Sequence, residues 1–389
     1  MQPQQVPAQE RTFSTWQQLS IITSTLIGVG VLTLPRTSSA ILKEAGWLGP
    51  ALGAVISWCS IALIAWLGRR FIGMTFIQYT PIVWGSKRLP WLGKWLGLPW
   101  VLIFLASLFC STAATSRIFG EVVVTAVLLD TPLEAILITM FLLALILCMH
   151  EVEVLARVNE VLIPLIVLPV LFIALTSFQN ANWNNLMPFY SSSWSDLWGA
   201  VLETTFSYQG YELMLIFFAF SRPGCQLGRA SGFGIGLAAF VYTLIVLAGI
   251  VVFGYEELQR VTWPTLELVK NTQVPGLILE RLESAFLAVW VAAVFTTVGN
   301  TYYGFIYGLR QLFGRGIVFQ RISAAVLLIP LCYIALIPQN ITDVFQVAEV
   351  LGYTGLIVTT FLPLIYVLVT LVRYGWKDRS EKSNETPCR

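Results

Sequence analysis

The sequence predicts an all-α membrane protein, with ten transmembrane helices in two inverted five-helix repeats and with helices 1 and 6 unwound near mid-membrane. Three observations predict it. Of 389 residues, 57% are hydrophobic and only 11% charged, against roughly 45–50% and about 25% in a soluble domain. Ten apolar stretches approach the ~20 residues that a bilayer core requires. The first stretch of each group of five is interrupted, which is the sequence pattern of inverted-repeat transporter folds. The same composition excludes a disordered chain, a nucleic-acid binder and a disulfide scaffold.

The tail 1–16 is polar, and no small-residue cleavage site follows the first apolar run, so the first span is expected to stay in the mature protein. That span, 17–40, contains Gly28-Val-Gly-Val-Leu-Thr-Leu-Pro35, in which two glycines and a proline make a continuous helix costly. Spans two to five follow at 47–69, 98–124, 132–149 and 161–178, closing a first repeat over about 17–178. The stretch 71–96 mixes tryptophans with Lys87, Arg88 and Lys94, and is expected to lie along the cytoplasmic surface, an eleventh span being the alternative. Span six, 197–220, is interrupted by Ser207-Tyr-Gln-Gly-Tyr-Glu212. Spans seven to ten, at 232–254, 283–308, 321–338 and 350–372, complete a second repeat over about 197–372, and the tail 374–389 ends a membrane domain of 17–373.

An even number of spans puts both tails on one side. The loops of the other side hold only Arg36, Lys43, Arg260, Lys270 and Arg281, and Arg117 lies inside span three. The rest of the 23 Lys and Arg fall in the tails and the remaining loops. Both termini are therefore expected to be cytoplasmic. Most of the 14 Trp stand near span ends or in loops, as an interfacial aromatic belt requires.

Ionisable groups inside a bilayer are functional candidates by default. Glu212 follows the interruption of span six, either as a proton-linked switch or ammonium partner or as a carboxyl satisfied by local hydrogen bonds. Arg117 and Glu121, four apart, share a helix face and are expected to pair, as a register device or as a gate. In span eight, Ser284, Ala288, Ala292, Thr296, Asn300, Gly304 and Gly308 recur every fourth residue as a close-packing stripe. Within it Thr296 and Asn300, with Thr297 beside them, add hydrogen-bonding groups. Gly28 and Gly30 do not form a dinucleotide fingerprint, because Thr33 stands where the third glycine belongs. No nucleophile elbow, zinc-protease motif or phosphate loop occurs, and the six cysteines and single His form no metal spacing, so neither an enzyme nor a cofactor is expected.

The stretch Gly28-Val-Gly-Val-Leu-Thr-Leu-Pro-Arg36 resembles the spore germination permease family, the B subunits of nutrient germinant receptors within the amino acid–polyamine–organocation superfamily. Further resemblance lies at Ser116-Arg-Ile-Phe-Gly-Glu121, Asn159-Glu-Val-Leu-Ile-Pro164, Asn185-Leu-Met-Pro188, Gly210-Tyr-Glu212, Trp263-Pro-Thr265, Arg281-Leu-Glu-Ser284, Phe295-Thr-Thr297 and Leu351-Gly-Tyr353. These run in order through about residues 13–375. The resemblance implies a ten-span fold of two inverted repeats that senses a small nutrient, typically an amino acid, in the inner membrane of a spore. It also implies an A-type membrane subunit and a C-type lipoprotein as partners. Carried over by residue, Gly28, Val29 and Gly30 would receive a carboxylate, Phe206, Ser207 and Gly210 would line the opposite side, and Thr296 and Thr297 would close the pocket. Arg117 and Glu121 match the family pattern, although Thr115-Ser116 stands where some members have an acid. A coupled amino acid transporter is the alternative that the same architecture allows.

Overall fold

The computed structural model describes residues 6, 11–85, 90–190, 192–271 and 282–375, without the side chains of 90, 206 and 282–284. The tail beyond 375, Lys87, Arg88, Arg281 and the side chains of Phe206 and Ser284 thus lie outside the described residues.

Ser14 caps α1 (Thr15–Leu26). Its Oγ accepts the Gln17 N–H at 3.1 Å while Gln17 Oε1 accepts the Ser14 N–H at 3.0 Å. The helix stops before Gly28, and α2 (Gly30–Leu42) leaves at 59° to it, so the interruption expected in the first span is a true break. Next come α3 (Leu48–Arg70) and the nine-residue α4 (Phe76–Trp84), which is too short to cross a bilayer. α4 buries Phe76, Tyr79 and Val83, with Phe76 against Phe104 of α5 (Pro90–Ala126). That helix runs 37 residues, so the third apolar element begins at 90 and not 98. Pro90 serves as its first residue because that position needs no N–H donor.

α6 (Leu133–Cys148) and α7 (Val152–Ser177) follow. α8 (Trp194–Ser207) ends at a second break, where Gly210 takes φ +125°, and short helical turns continue through Tyr211–Leu213, α9 (Met214–Phe217) and Phe218–Phe220. The chain then forms α10 (Leu227–Phe253), α11 (Tyr255–Arg260), α12 (Pro264–Asn271) and α13 (Leu282–Leu312). It ends with α14 (Ile317–Val326), α15 (Leu328–Ala335), α16 (Ile341–Leu356), a wide π turn at Ile357–Phe361 and α17 (Leu362–Tyr374).

Among the described residues, 7 helices are long and apolar enough to cross a membrane, and the bent pair α1–α2 makes 8; α6 and the divided Tyr211–Phe220 stretch are apolar but shorter. α13 is central, with 67% of its apolar window buried, whereas Ile317–Ala335 is peripheral at 17%. On α7, Ile163, Ile166 and Val170 are buried while Val161 and Leu168 are 71% and 65% exposed. An apolar helix face that the chain itself leaves uncovered is what a lipid-embedded helix presents. The chain is an integral membrane protein. One end of the bundle is shut by Phe13, fully buried between Phe217 and Phe220, with its N–H donating to Phe220 O at 3.0 Å.

Candidate functional site

The two breaks meet. A Cβ on Gly30 would stand 3.2 Å from Ser207 Cβ, a tight contact, and one on Gly210 would stand 2.7 Å from Thr25 Cγ2, closer than side chains allow, so the two interrupted helices lie close together. Gly28 is enclosed by Thr297, whose Oγ1 a Cβ there would overlap. Tyr242 Oη lies within hydrogen-bond distance of the carbonyls of Leu26 and Ser207, the last residues of α1 and α8, so one hydroxyl bridges the two helix ends. Trp290 Nε1 donates to Gly28 O at 3.2 Å.

Beside the breaks is a cavity of about 580 Å³. Val29, Gly30, Ser207, Gly210 and Thr297 border it, and it extends past Arg36 and Glu203 to Ala40, Thr262 and Thr342, at the end of the bundle away from Phe13. Its walls carry many hydroxyls, among them Thr25, Thr33, Ser111, Thr115 and Thr301. As in any helix, the first N–H groups of α2 lack partners within it, and they begin at the cavity wall. Arg36 stands over the Phe345 ring at 5.3 Å, joining α2 to α16.

The remaining candidates stand behind the wall. Thr296 Oγ1 donates to Ala293 O at 2.7 Å and approaches Ser24 O at 3.1 Å, and so holds α13 to α1. Asn300 Nδ2 donates to Thr25 Oγ1 and to Asn159 Oδ1, each at 2.8 Å, and Asn159 Nδ2 returns a bond to Asn300 Oδ1 at 2.8 Å. Ser24 Oγ donates to the same Asn159 oxygen. Glu212 Oε2 accepts the Gly210 N–H at 2.6 Å, so this carboxyl caps the loop that follows the break. Arg117 Nη2 meets Glu121 Oε1 at 2.6 Å, the pairing expected from their spacing, and also donates to Pro338 O at 2.9 Å. Arg117 borders a separate cavity of about 110 Å³ between α5, α15 and α16.

Sequence reasoning did not find Tyr242 or Trp290. A lone aromatic in an apolar span carries no periodic signal, since what matters is a backbone group supplied from far along the chain. Asn159 and Gln209 lie within stretches that the sequence marks, but their partners are not readable from it.

Two interrupted helices packed around a cavity in an apolar bundle define a membrane protein with a transporter-type fold. The structure superposes on Mhp1, a nucleobase-cation-symport-1 family transporter with bromovinylhydantoin bound, with a TM-score of 0.62 at 12% identity, covering 98% of both chains. MhsT in complex with L-phenylalanine matches with a TM-score of 0.61 at 14% identity over 92% of this chain and 89% of that one. A Na⁺-coupled sialic acid symporter matches with a TM-score of 0.67 at 11% identity over 92% and 79%. At these identities the likeness is one of fold.

Residues 12–344 match the family model described as spore germination protein. The chain belongs to that family. Spore germination protein YndE of Bacillus subtilis is 29% identical over 371 residues, 95% of this chain and 98% of the relative. Spore germination protein B2 of the same organism is 26% identical over 359 residues, 92% and 95%. The family is that of spore germination proteins, and the fold is one that transporters share.

Proposed function

We propose that this chain is the membrane subunit of a spore germinant receptor, which binds a small nutrient, in the first instance an amino acid, and signals germination. The observation that carries the reading is the meeting of both breaks at one cavity, with Val29, Gly30, Ser207, Gly210 and Thr297 on its wall. A ligand carboxylate would be received by the first N–H groups of α2, at the positive end of the helix dipole, although the Leu32 N–H already bonds Val29 O at 3.1 Å. Gly28 and Thr296 shape that wall from behind, and Phe206 lies on the α8 side.

In this reading the bundle is a ten-span domain over 17–373, with α6 and the divided helix α8–α9 counted as spans and the two halves related as inverted repeats. Both termini face the cytoplasm, the membrane is the inner membrane of the spore, and an A-type membrane subunit and a C-type lipoprotein complete the receptor. Arg117–Glu121, Glu212 and Asn300 act as coupling or gating groups.

The fold neighbours favour a second reading, an amino acid transporter coupled to protons or sodium. A transporter must isomerise with net flux, whereas a receptor needs only a ligand-linked change of a few kcal/mol passed to its partners. Deleting the gene and scoring each amino acid both for spore germination and for uptake by growing cells separates the two. Lost germination with normal uptake supports the receptor; lost uptake with intact germination supports the transporter.

A further inference from the structure

Gln209 occupies the unwound stretch after α8, and the backbone on either side of it is held. Tyr208 Oη donates to Pro50 O at 2.8 Å on α3, and the Gly210 N–H is taken by Glu212 at 2.6 Å. What can turn is the Gln209 side chain, which is half-buried and borders the cavity. Its Nε2 crosses to α16, donating to Gly352 O at 2.8 Å with Leu351 O at 3.4 Å. A Cβ on Gly355, one turn on, would displace the Gln209 amide, which lies where that atom would be. Immediately beyond, α16 passes into the π turn Ile357–Phe361, a geometry that costs helix regularity and recurs at functional sites.

We propose that Gln209 is a positioning residue: its amide holds α16 against the break in α8, and a ligand acceptor that draws this amide into the cavity releases α16. A ligand shifts a conformational equilibrium only through contacts that differ between the two states, and this exchange of one acceptor for another is such a difference. The proposal rests on the cavity being the nutrient site. It names α16, which already forms the far wall through Phe345 and Gly352, as the element that carries the signal away.

The test uses the full chain in lipid nanodiscs, with hydrogen exchange read over residues 345–361. Gln209→Ala and Gly355→Ala should each raise exchange there. Alanine is the better helix former, so a rise in Gly355→Ala cannot come from propensity. The double variant should match Gln209→Ala alone, because with alanine at 209 the amide that the new Cβ would displace is already gone. Unchanged exchange in Gln209→Ala, or additive rises in the double variant, overturns the tie. In spores, Gln209→Ala should raise spontaneous germination in nutrient-free buffer roughly five-fold, the population shift expected from losing one hydrogen bond; an unchanged or lower rate overturns the release step. The nutrient reading is tested separately with Gly30→Trp and an equimolar mixture of the twenty amino acids. A wild-type response in that variant overturns the site while leaving the exchange result on Gln209 intact.

Discussion

Thr265 supplies the hydrogen bond that Pro35 withholds from Val31. Inside α2 the carbonyl of Val31 would accept the N–H of residue 35, but proline has none; Thr265 Oγ1 donates to Val31 O at 2.7 Å instead. This accounts for a threonine in α12 opposite a proline in the broken first span, and it fixes α2 where the cavity wall begins. Thr265→Val keeps the shape and removes the donor. The expected loss is about 1–3 kcal/mol, the cost of an orphaned buried carbonyl, read as a lowered unfolding midpoint in detergent; Thr265→Ser should restore the wild-type value.

Asn159 and Asn300 form a reciprocal amide pair joining α7 to α13, with Ser24 and Thr25 of α1 attached. Alanine at either position leaves the other amide buried without its partner, at about 1–3 kcal/mol. The double replacement should fall short of the sum of the singles, a coupling that a double-mutant cycle on unfolding in detergent measures.

Arg117 is 4% exposed and holds both Glu121 and the Pro338 carbonyl. Glu121 is only partly buried, so removing either member should cost less than the roughly 3–5 kcal/mol of a fully buried pair. Arg117→Gln and Glu121→Gln should each lower stability, and the neutral pair together should be milder than either alone. Additive losses would show that the 2.6 Å contact carries no coupling.

Gly30→Trp should abolish the response to nutrient without preventing membrane insertion, because the added ring must enter the space between Gly30 and Ser207. Gly199 has nothing within 4 Å of its Cβ position, so Gly199→Ala serves as the control with an expected wild-type response. Membrane fractionation followed by a germination assay reads both.

Glu212→Gln keeps an oxygen for the Gly210 N–H and removes the titratable proton. The loop should stay folded, with unfolding unchanged, while the pH dependence of the response alters. A pH profile identical to wild type would leave Glu212 as the cap of the break and nothing more.

The legible features were those a short stretch of chain decides alone. Gly28, Gly30 and Pro35 announced the first break because together they make a continuous helix costly, and the polar run Ser207–Glu212 around Gly210 announced the second. Arg117 and Glu121 announced their pairing because four residues is one helical turn. Hydropathy marked the apolar elements but not their ends: α5 begins at 90 because proline is welcome in a first turn, and α7 begins at Val152 because its first two turns are helical yet too polar for a hydropathy window. Thr296 and Asn300 were legible as polar groups in span eight, but not that they turn to α1 and α7.

The sequence by itself determined that the chain is a helical membrane protein interrupted in two places, because apolar length and glycine and proline content act locally. Only the tertiary structure decided that the two interruptions face one another, that Tyr242 bridges their ends, and that Gln209 reaches Gly352. Each of these contacts joins segments distant in the chain, and each depends on which of several equally apolar helix faces pack together. That choice is made by the fit of small residues and the satisfaction of buried polar groups across the whole bundle, which no single segment specifies.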